Sequence, residues 1–138
     1  MTKLKIILLL GIVSFNCSDS LTNYHEVSVD KEFNLGVGES AIISQHGIVI
    51  KFKTVEEDSR CPIGLLCFWA GNAVVVLELK DSDRNKQTIK LNTYLEPKNI
   101  EYSNLIIDLK DLTPYPKMDE IINQEDYVAR LIVKKKEN

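Results

Sequence analysis

The chain of 138 residues has few of the side chains that build metal and redox centres: three cysteines and two histidines. Structural zinc needs four ligands at short, fixed spacings, and neither His25 nor His46 stands at such a spacing. The separation of Cys61 from Cys67 also differs from the CxxC spacing of thioredoxin-like redox proteins. We therefore expect no metal ion and no cofactor.

Catalytic motifs and an excess of positive charge are absent as well. The sequence has no GxSxG, no HExxH, no phosphate-binding glycine loop and no supported Ser/His/Asp arrangement. Its formal net charge is −3, and its only basic run is the tail Lys134–Lys136. An acidic chain without a basic stripe is poorly suited to binding nucleic acid. We expect a protein that is not an enzyme and does not bind nucleic acid.

The longest apolar run, Ile6–Val13, is too short to span a bilayer at 1.5 Å per residue. Lys3 and Lys5 precede it, and a cleavage zone follows it, which is the pattern of a secretory signal peptide over residues 1–16. The cysteine at the end of this pattern resembles that of a bacterial lipoprotein signal. The resemblance implies that Cys17 becomes the lipidated first residue of the mature protein.

The number of cysteines supports lipidation of Cys17. An odd thiol in a secreted protein needs a use, and lipidating Cys17 leaves Cys61 and Cys67 as one pair. Several acyl chains anchor a protein stably, because each buried CH₂ contributes about 0.8 kcal/mol. We expect an exported protein, anchored in the inner or outer membrane of the cell envelope, with residues 17–25 as a polar tether. The alternative is a plain secreted protein that is cleaved just before Cys17.

Alternating apolar residues predict strands in the rest of the chain. Between Ile48 and Val55, for example, Ile50 and Phe52 point to one side, and Lys51 points to the other. After the signal, no window of about 11 residues or more keeps a helical period. Seven segments have strand character: 33–37, 41–43, 48–55, 73–79, 87–91, 105–109 and 127–133. We predict an all-β fold, a single-domain antiparallel β-sandwich of about seven short strands over residues 26–138.

The segment Asp58–Ala73 contains two of the three cysteines and the only tryptophan, Trp69. In an exported protein, Cys61 and Cys67 are expected to form a disulfide, and closing so short a loop stabilises the fold by about 2–2.5 kcal/mol. The alternatives for this pair are a zinc site and a redox dithiol. The number of ligands is too small for the first, and the spacing of the cysteines does not fit the second.

Three other side chains of this segment are candidates for a binding or structural role. Arg60 and Trp69 flank the disulfide, so the guanidinium is predicted to stack on the indole, while Asp58 accepts hydrogen bonds from Arg60 or from backbone N–H groups of the loop. One interpretation is a structural knot that satisfies its own polar groups. The other is a binding surface, because recognition often uses rigid loops on a sheet scaffold, and Trp and Arg dominate binding hot spots.

The same residues carry a family resemblance. DSRCP over residues 58–62, then Cys67, then WAGNA over residues 69–73 resemble a motif of small uncharacterised exported bacterial proteins, many of them lipoproteins. Weaker similarity covers FNL at residues 33–35 and LTPYP at residues 112–116. The resemblance implies a compact exported β-sandwich, and it implies no activity.

The functional expectation is a non-enzymatic, lipid-anchored binding or structural module of the cell envelope. Its expected partners are the membrane, reached through Cys17, and an envelope protein or glycan. Tyr94, Tyr102 and Tyr115 are candidate contact residues, although packing at strand ends is the alternative role for them. A second hypothesis is a protease inhibitor that uses the loop between Cys61 and Cys67 as a wedge, which is an analogy at the level of fold.

Overall fold

The computed structural model describes residues 24–137 and folds them into two packed β-sheets. The predicted signal peptide, Cys17 and most of the predicted tether lie outside the described residues. The described residues form nine strands: β1 (Tyr24–Glu26), β2 (Glu32–Gly36), β3 (Ser40–Ile43), β4 (Ile48–Asp58), β5 (Ala73–Lys80), β6 (Lys86–Asn92), β7 (Asn99–Tyr102), β8 (Leu105–Thr113) and β9 (Val128–Lys135). They also contain two short 3₁₀ turns, Ser44–His46 and Gln124–Asp126, and no α-helix.

The first sheet has the strand order β1-β3-β4-β5-β6, and the second has the order β2-β9-β8-β7. All pairings are antiparallel except that of β1 with β3. Apolar side chains from the inner faces of both sheets form one core, which confirms the predicted all-β sandwich. Its largest fully buried members are Phe52, Leu35, Ile43, Ile48, Ile50, Leu77, Leu79, Leu91, Leu105, Ile107, Leu112 and Leu131.

Each of the seven predicted segments corresponds to one of these strands, although Val37 and Tyr127 fall just outside β2 and β9. Two strands were not predicted. β7 brings Ile100 and Tyr102 against the core, but it is only four residues long and follows a proline-containing stretch. β1 has no apolar alternation, because all three of its side chains are exposed, and it forms only by pairing with the edge of β3. β1 begins at Tyr24 and so takes in the last two residues of the predicted tether.

Three connections meet at one end of the sandwich, which we call the apex: loops 59–72, 93–98 and 114–123. β4 ends there at Asp58 and β8 ends there at Thr113, before a proline that cannot donate to a sheet ladder. Backbone hydrogen bonds join the loops: Ile63 N donates to Pro116 O at 2.9 Å. The apex therefore draws residues from both sheets together.

The direction of β1 places its first residue nearer the apex. β4 runs towards the apex, β3 is antiparallel to β4, and β1 is parallel to β3. β1 therefore runs away from the apex, and Tyr24 marks its apex-side end. Of the residues that the structure describes, none belongs to a helix that is long and apolar enough to cross a bilayer.

Candidate functional site

A disulfide joins Cys61 and Cys67, whose Cα atoms lie 5.9 Å apart, in agreement with the predicted pairing. Within the closed loop, Leu65 N donates a hydrogen bond to Pro62 O at 3.1 Å. The hydrogen bond from Ile63 N to Pro116 O also ties the disulfide loop to the neighbouring loop. The loop is thus held both covalently and by a contact with the second sheet's connection.

The side chain of Arg60 lies at the base of the apex and links the two sheets. It is 5% exposed, and it is the only buried charged residue in the part of the chain that the structure describes. Its Nε donates to Asp58 Oδ1 at 2.9 Å, and its Nη2 donates to Asp58 Oδ2 at 2.6 Å. The guanidinium also donates to the carbonyl oxygens of Leu112 and Pro114, at the end of β8. Asp58 at the end of β4 and the end of β8 therefore share one cation.

The predicted stacking of Arg60 on Trp69 is wrong. The Arg60 guanidinium instead lies over the ring of Tyr115, with its central carbon 4.7 Å from the ring centre. The reason is that Asp58 and the carbonyls at the end of β8 draw the guanidinium into the sandwich. The indole N–H of Trp69 donates to the backbone oxygen of Ser59 at 3.2 Å, and the residue is 59% exposed. The three candidate residues therefore separate. Asp58 and Arg60 form a buried cluster, which we call the knot, and Trp69 lies at the surface.

Hydrogen bonding fixes the protonation states of the knot. Burial opposes ionisation of Asp58, but the hydrogen bonds and positive charge of Arg60 outweigh it and hold the pKa of this carboxyl below its usual range. The hydroxyl of Tyr127 donates to Asp58 Oδ2 at 3.0 Å. Burial and the hydrogen bond to Asp58 raise the pKa of Tyr127 to about 12. Because neither group changes protonation near neutral pH, the knot is suited to holding the sheets together and poorly suited to proton transfer.

Gly71, in the WAGNA segment, is required for the close approach of two chain segments. Its φ is +72°, and a Cβ at this position would lie 2.6 Å from both Arg60 Cα and Ser59 O. Real side chains do not tolerate such contacts, so only glycine allows the loop to close over the knot.

Asn72 braces the second loop of the apex. Its Nδ2 donates to Asn92 Oδ1 at 2.8 Å, and its Oδ1 accepts hydrogen bonds from the backbone N–H groups of Tyr94 and Leu95. The backbone N–H of Asn72 in turn donates to the Ser59 hydroxyl at 3.1 Å. The loop that carries Tyr94 is therefore positioned by the segment after the disulfide.

Most of the exposed large apolar side chains of the described residues lie on the apex. Among the described residues, eleven large hydrophobic side chains are exposed, and all but Tyr24 belong to the apex. Leu66 is 100% exposed and Phe68 is 104% exposed, so both extend fully into solvent. Large contiguous apolar patches on a protein surface mark interaction sites. The apex residues are Ile63, Leu65, Leu66, Phe68, Trp69, Tyr94, Leu95, Tyr115, Met118 and Ile121.

The structure places two of the three candidate tyrosines at this surface. Tyr94 and Tyr115 are exposed at the apex, whereas Tyr102 packs on the core away from it and donates to Asp81 Oδ2 at 3.4 Å. Sequence reasoning missed Leu66 and Phe68, which look like ordinary core residues. The available signal was their position: Leu66 lies inside the seven-residue disulfide loop and Phe68 directly after it, where no strand alternation continues.

An open groove of about 260 Å³ lies between Trp69 on one side and Tyr94 and Leu95 on the other. Three of the four polar side chains along it, those of Ser59, Trp69 and Asn72, are already engaged within the protein. The Ser59 hydroxyl donates to Asn72 O at 3.0 Å, and the Asn72 amide and the Trp69 indole N–H have the partners described above. The groove therefore presents a mainly apolar wall to a ligand.

Within residues 24–137, no group of three His, Cys, Asp or Glu side chains is placed to hold a metal ion. Comparison of the chain with protein-family models, with curated proteins and with solved structures finds no match. The family resemblance of the DSRCP and WAGNA segments stays a prediction. The geometry of the apex is therefore the basis on which a function can be assigned.

Proposed function

We propose that the protein is an exported, lipid-anchored module of the bacterial cell envelope, which catalyses no reaction and binds an envelope component through its apex. The observation that carries this proposal is the gathering of ten exposed large apolar side chains on three adjoining loops. Exposing so much apolar surface is unfavourable in water, so its retention on loops favours a contact function.

The base of the apex supports a binding role because it is rigid. The disulfide from Cys61 to Cys67, the Arg60 knot and the Asn72 brace hold the loops before any partner arrives. A surface that is already ordered loses little conformational entropy on association, and this favours affinity. The sequence allows two interpretations of this segment, a structural knot and a binding surface. In this proposal the apex is both, because the knot forms its base and the exposed apolar side chains form its binding surface.

Anchoring at Cys17 is supported by the sequence pattern around it: two lysines, a short apolar run and a cysteine at the end of the cleavage zone. Intact-mass measurement of the protein purified from membranes tests this part. We expect the mass of the chain from Cys17 onwards plus its acyl groups, less two hydrogens for the disulfide. An unmodified chain that starts near Cys17 in the soluble exported fraction would show a plain secreted protein instead.

Photo-crosslinking in living cells tests the binding role. Benzoylphenylalanine in place of Phe68 is expected to form an adduct with an envelope component. The matched control places the same residue at Asp83, an exposed turn position at the opposite end of the sandwich. An equal absence of adducts at both positions would contradict the proposal that the apex is in contact with a partner.

A protease inhibitor is the second candidate. The specific observation in its favour is the full exposure of Leu66 in a loop closed by the disulfide from Cys61 to Cys67. Such a loop has the rigidity that a wedge for a protease cleft needs. Purified protein at micromolar concentration, assayed against a panel of proteases, is expected to inhibit at least one of them, and inhibition of none would remove this candidate.

A further inference from the structure

The shape of the apex distinguishes between kinds of partner. Leu66 within the disulfide loop and Phe68 directly after it extend completely into solvent, and Ile121 on the neighbouring loop is 91% exposed. These side chains form protruding tips, whereas the groove beside Trp69 is shallow and open. Protruding apolar tips fit a soft apolar medium that closes around them, such as the acyl-chain boundary of a bilayer.

The charge pattern of the disulfide loop agrees with such a medium. The segment Cys61–Ala73 carries no charged side chain, in a chain of which 27% of the residues are charged. Entry of this segment into a region of low polarity therefore carries no cost of removing a charge from water. Three aromatic residues with a polar atom, Trp69, Tyr94 and Tyr115, are partly exposed around the tips. Trp and Tyr are the residues that membrane proteins place at the level of the lipid headgroups.

The direction of β1 allows an anchor that precedes Tyr24 to lie on the apex side. Tyr24 pairs with Ser40, and Ser40 pairs with Lys51, so Tyr24 lies at the level of Lys51 in β4. From Lys51 to the apex at Asp58, seven residues of strand span about 23 Å. From Cys17 to Tyr24 there are also seven residues, which reach at most about 25 Å. Since Tyr24 is the apex-side end of β1, a membrane that holds Cys17 is within reach of the apex.

The groove argues against a glycan as the occupant. Sugars are recognised through hydrogen bonds to polar groups that are free to make them. The side chains of Ser59, Trp69 and Asn72 along the groove make their hydrogen bonds within the protein.

We infer that the apex enters the interfacial zone of the bilayer in which Cys17 is anchored. In this arrangement Leu66 and Phe68 reach the acyl-chain boundary, and Trp69 lies at the level of the headgroups. The disulfide loop is irregular, and irregular backbone is not tolerated in contact with the hydrocarbon core, so the backbone stays at headgroup level. The inference depends on the proposed lipid anchor, and it specifies the envelope component as the lipid surface itself.

Trp69 provides a direct measurement, because it is the only tryptophan of the chain. The acylated protein is reconstituted into phosphatidylcholine vesicles that contain lipids brominated either near the headgroup or near the methyl end of the chain. We expect the emission of Trp69 to shift to shorter wavelength, and lipids brominated near the headgroup to quench it more strongly. Raising the ionic strength is expected to leave the quenching unchanged, since the segment has no charge for salt to screen.

The Leu66→Ser/Phe68→Ser double variant removes the two most exposed tips without touching the core. It is expected to remain on the vesicles through its anchor and to lose quenching by brominated lipids. The matched control is Tyr24→Ser, which changes the one exposed large apolar side chain outside the apex among the described residues and is expected to be quenched like the unaltered protein.

The outcomes separate this inference from the proposed function. Protein that floats with the vesicles while Trp69 stays unquenched by brominated lipid overturns the bilayer contact and leaves the anchor standing. A blue shift of Trp69 without such quenching also overturns it, and indicates that a second copy or another protein covers the apex. Protein that does not float with the vesicles at all overturns both the anchor and the bilayer contact.

Discussion

The guanidinium of Arg60 and the carboxylate of Asp58 form a two-point ion pair, with donor–acceptor distances of 2.9 and 2.6 Å, at the end of β4. Both side chains are almost completely buried. A buried charge is tolerated when its partner and its remaining hydrogen bonds are all in place, and here the carbonyls of Leu112 and Pro114 and the hydroxyl of Tyr127 complete the set. The ion pair is therefore part of the joint between the two sheets.

Removing one partner of this pair is expected to be strongly destabilising. Arg60→Met leaves the carboxylate of Asp58 buried without its cation, so we expect the free energy of unfolding in urea to fall by about 3–5 kcal/mol. The matched control is Lys90→Met, which removes the exposed ion pair of Lys90 with Glu56 and is expected to cost less than about 1 kcal/mol. Equal losses for the two variants would mean that the knot does not join the sheets.

Gly71 gives a second test of how tightly the loop closes over the knot. Gly71→Ala introduces a Cβ 2.6 Å from Arg60 Cα and strains a backbone with φ of +72°, so we expect a loss of at least about 2–3 kcal/mol. Gly64→Ala is the matched control in the same loop. Its φ is +91°, but no atom lies within 4 Å of the added Cβ, so only the backbone strain of about 1–2 kcal/mol applies. Thermal unfolding of both variants measures the difference, and a Gly71→Ala loss no larger than that of Gly64→Ala would argue against the close approach.

The sandwich was predictable because its strands carry their burial pattern in the sequence. β4 alternates apolar with polar residues, and β5 has Val75 and Leu77 on the core side with Val76 buried on the other. β1 was not predictable, because an exposed three-residue strand has no pattern and depends on the edge of β3. Short edge strands of this kind are defined by tertiary pairing and not by local sequence.

The disulfide of the candidate site and the hydrogen bonds from Arg60 to Asp58 were predictable, whereas the contacts of Arg60 with distant loops were not. The N-terminal pattern that predicts export and the close spacing of Cys61 and Cys67 are enough to predict the disulfide. The aromatic ring that Arg60 contacts is that of Tyr115, which comes from a distant loop, and no spacing within the disulfide segment indicates it. Leu66 and Phe68 have core-like residue types, and their exposure follows from the position of the loop beyond the strand ends.

The disulfide is expected to stabilise the domain moderately and to order the apex. The Cys61→Ser/Cys67→Ser double variant releases a loop of seven residues, for which chain entropy predicts a loss of about 2 kcal/mol in the free energy of unfolding. The fluorescence anisotropy of Trp69 is expected to fall as well, because the segment next to Cys67 gains freedom. Adding reductant to the unaltered protein is the matched comparison and should reproduce both changes. A variant as stable as the disulfide form would show that the Ile63 contact alone holds the loop.

The hydroxyl of Tyr127 makes stability depend on pH in the alkaline range. An unfolded tyrosine loses its proton near pH 10, whereas burial and Asp58 raise the pKa of Tyr127 in the folded protein to about 12. Below about pH 10 both states keep the proton, and the stabilisation is fully present. Between these two values the unfolded state releases the proton first, so the free energy of unfolding falls as the pH rises, by on the order of 2 kcal/mol.

Tyr127→Phe removes this titration along with the hydrogen bond to Asp58. Near neutral pH the variant is expected to be less stable by about 1.5–3 kcal/mol, since a hydrogen bond to a buried charged group is lost. The gap between the two proteins should then shrink as the pH rises through the range from about 10 to about 12. Urea unfolding of both proteins in the same series of buffers measures the gap, and the subtraction cancels the other tyrosines and the lysines. A gap that stays constant across this range would mean that Tyr127 titrates in the folded protein as it does in the unfolded chain.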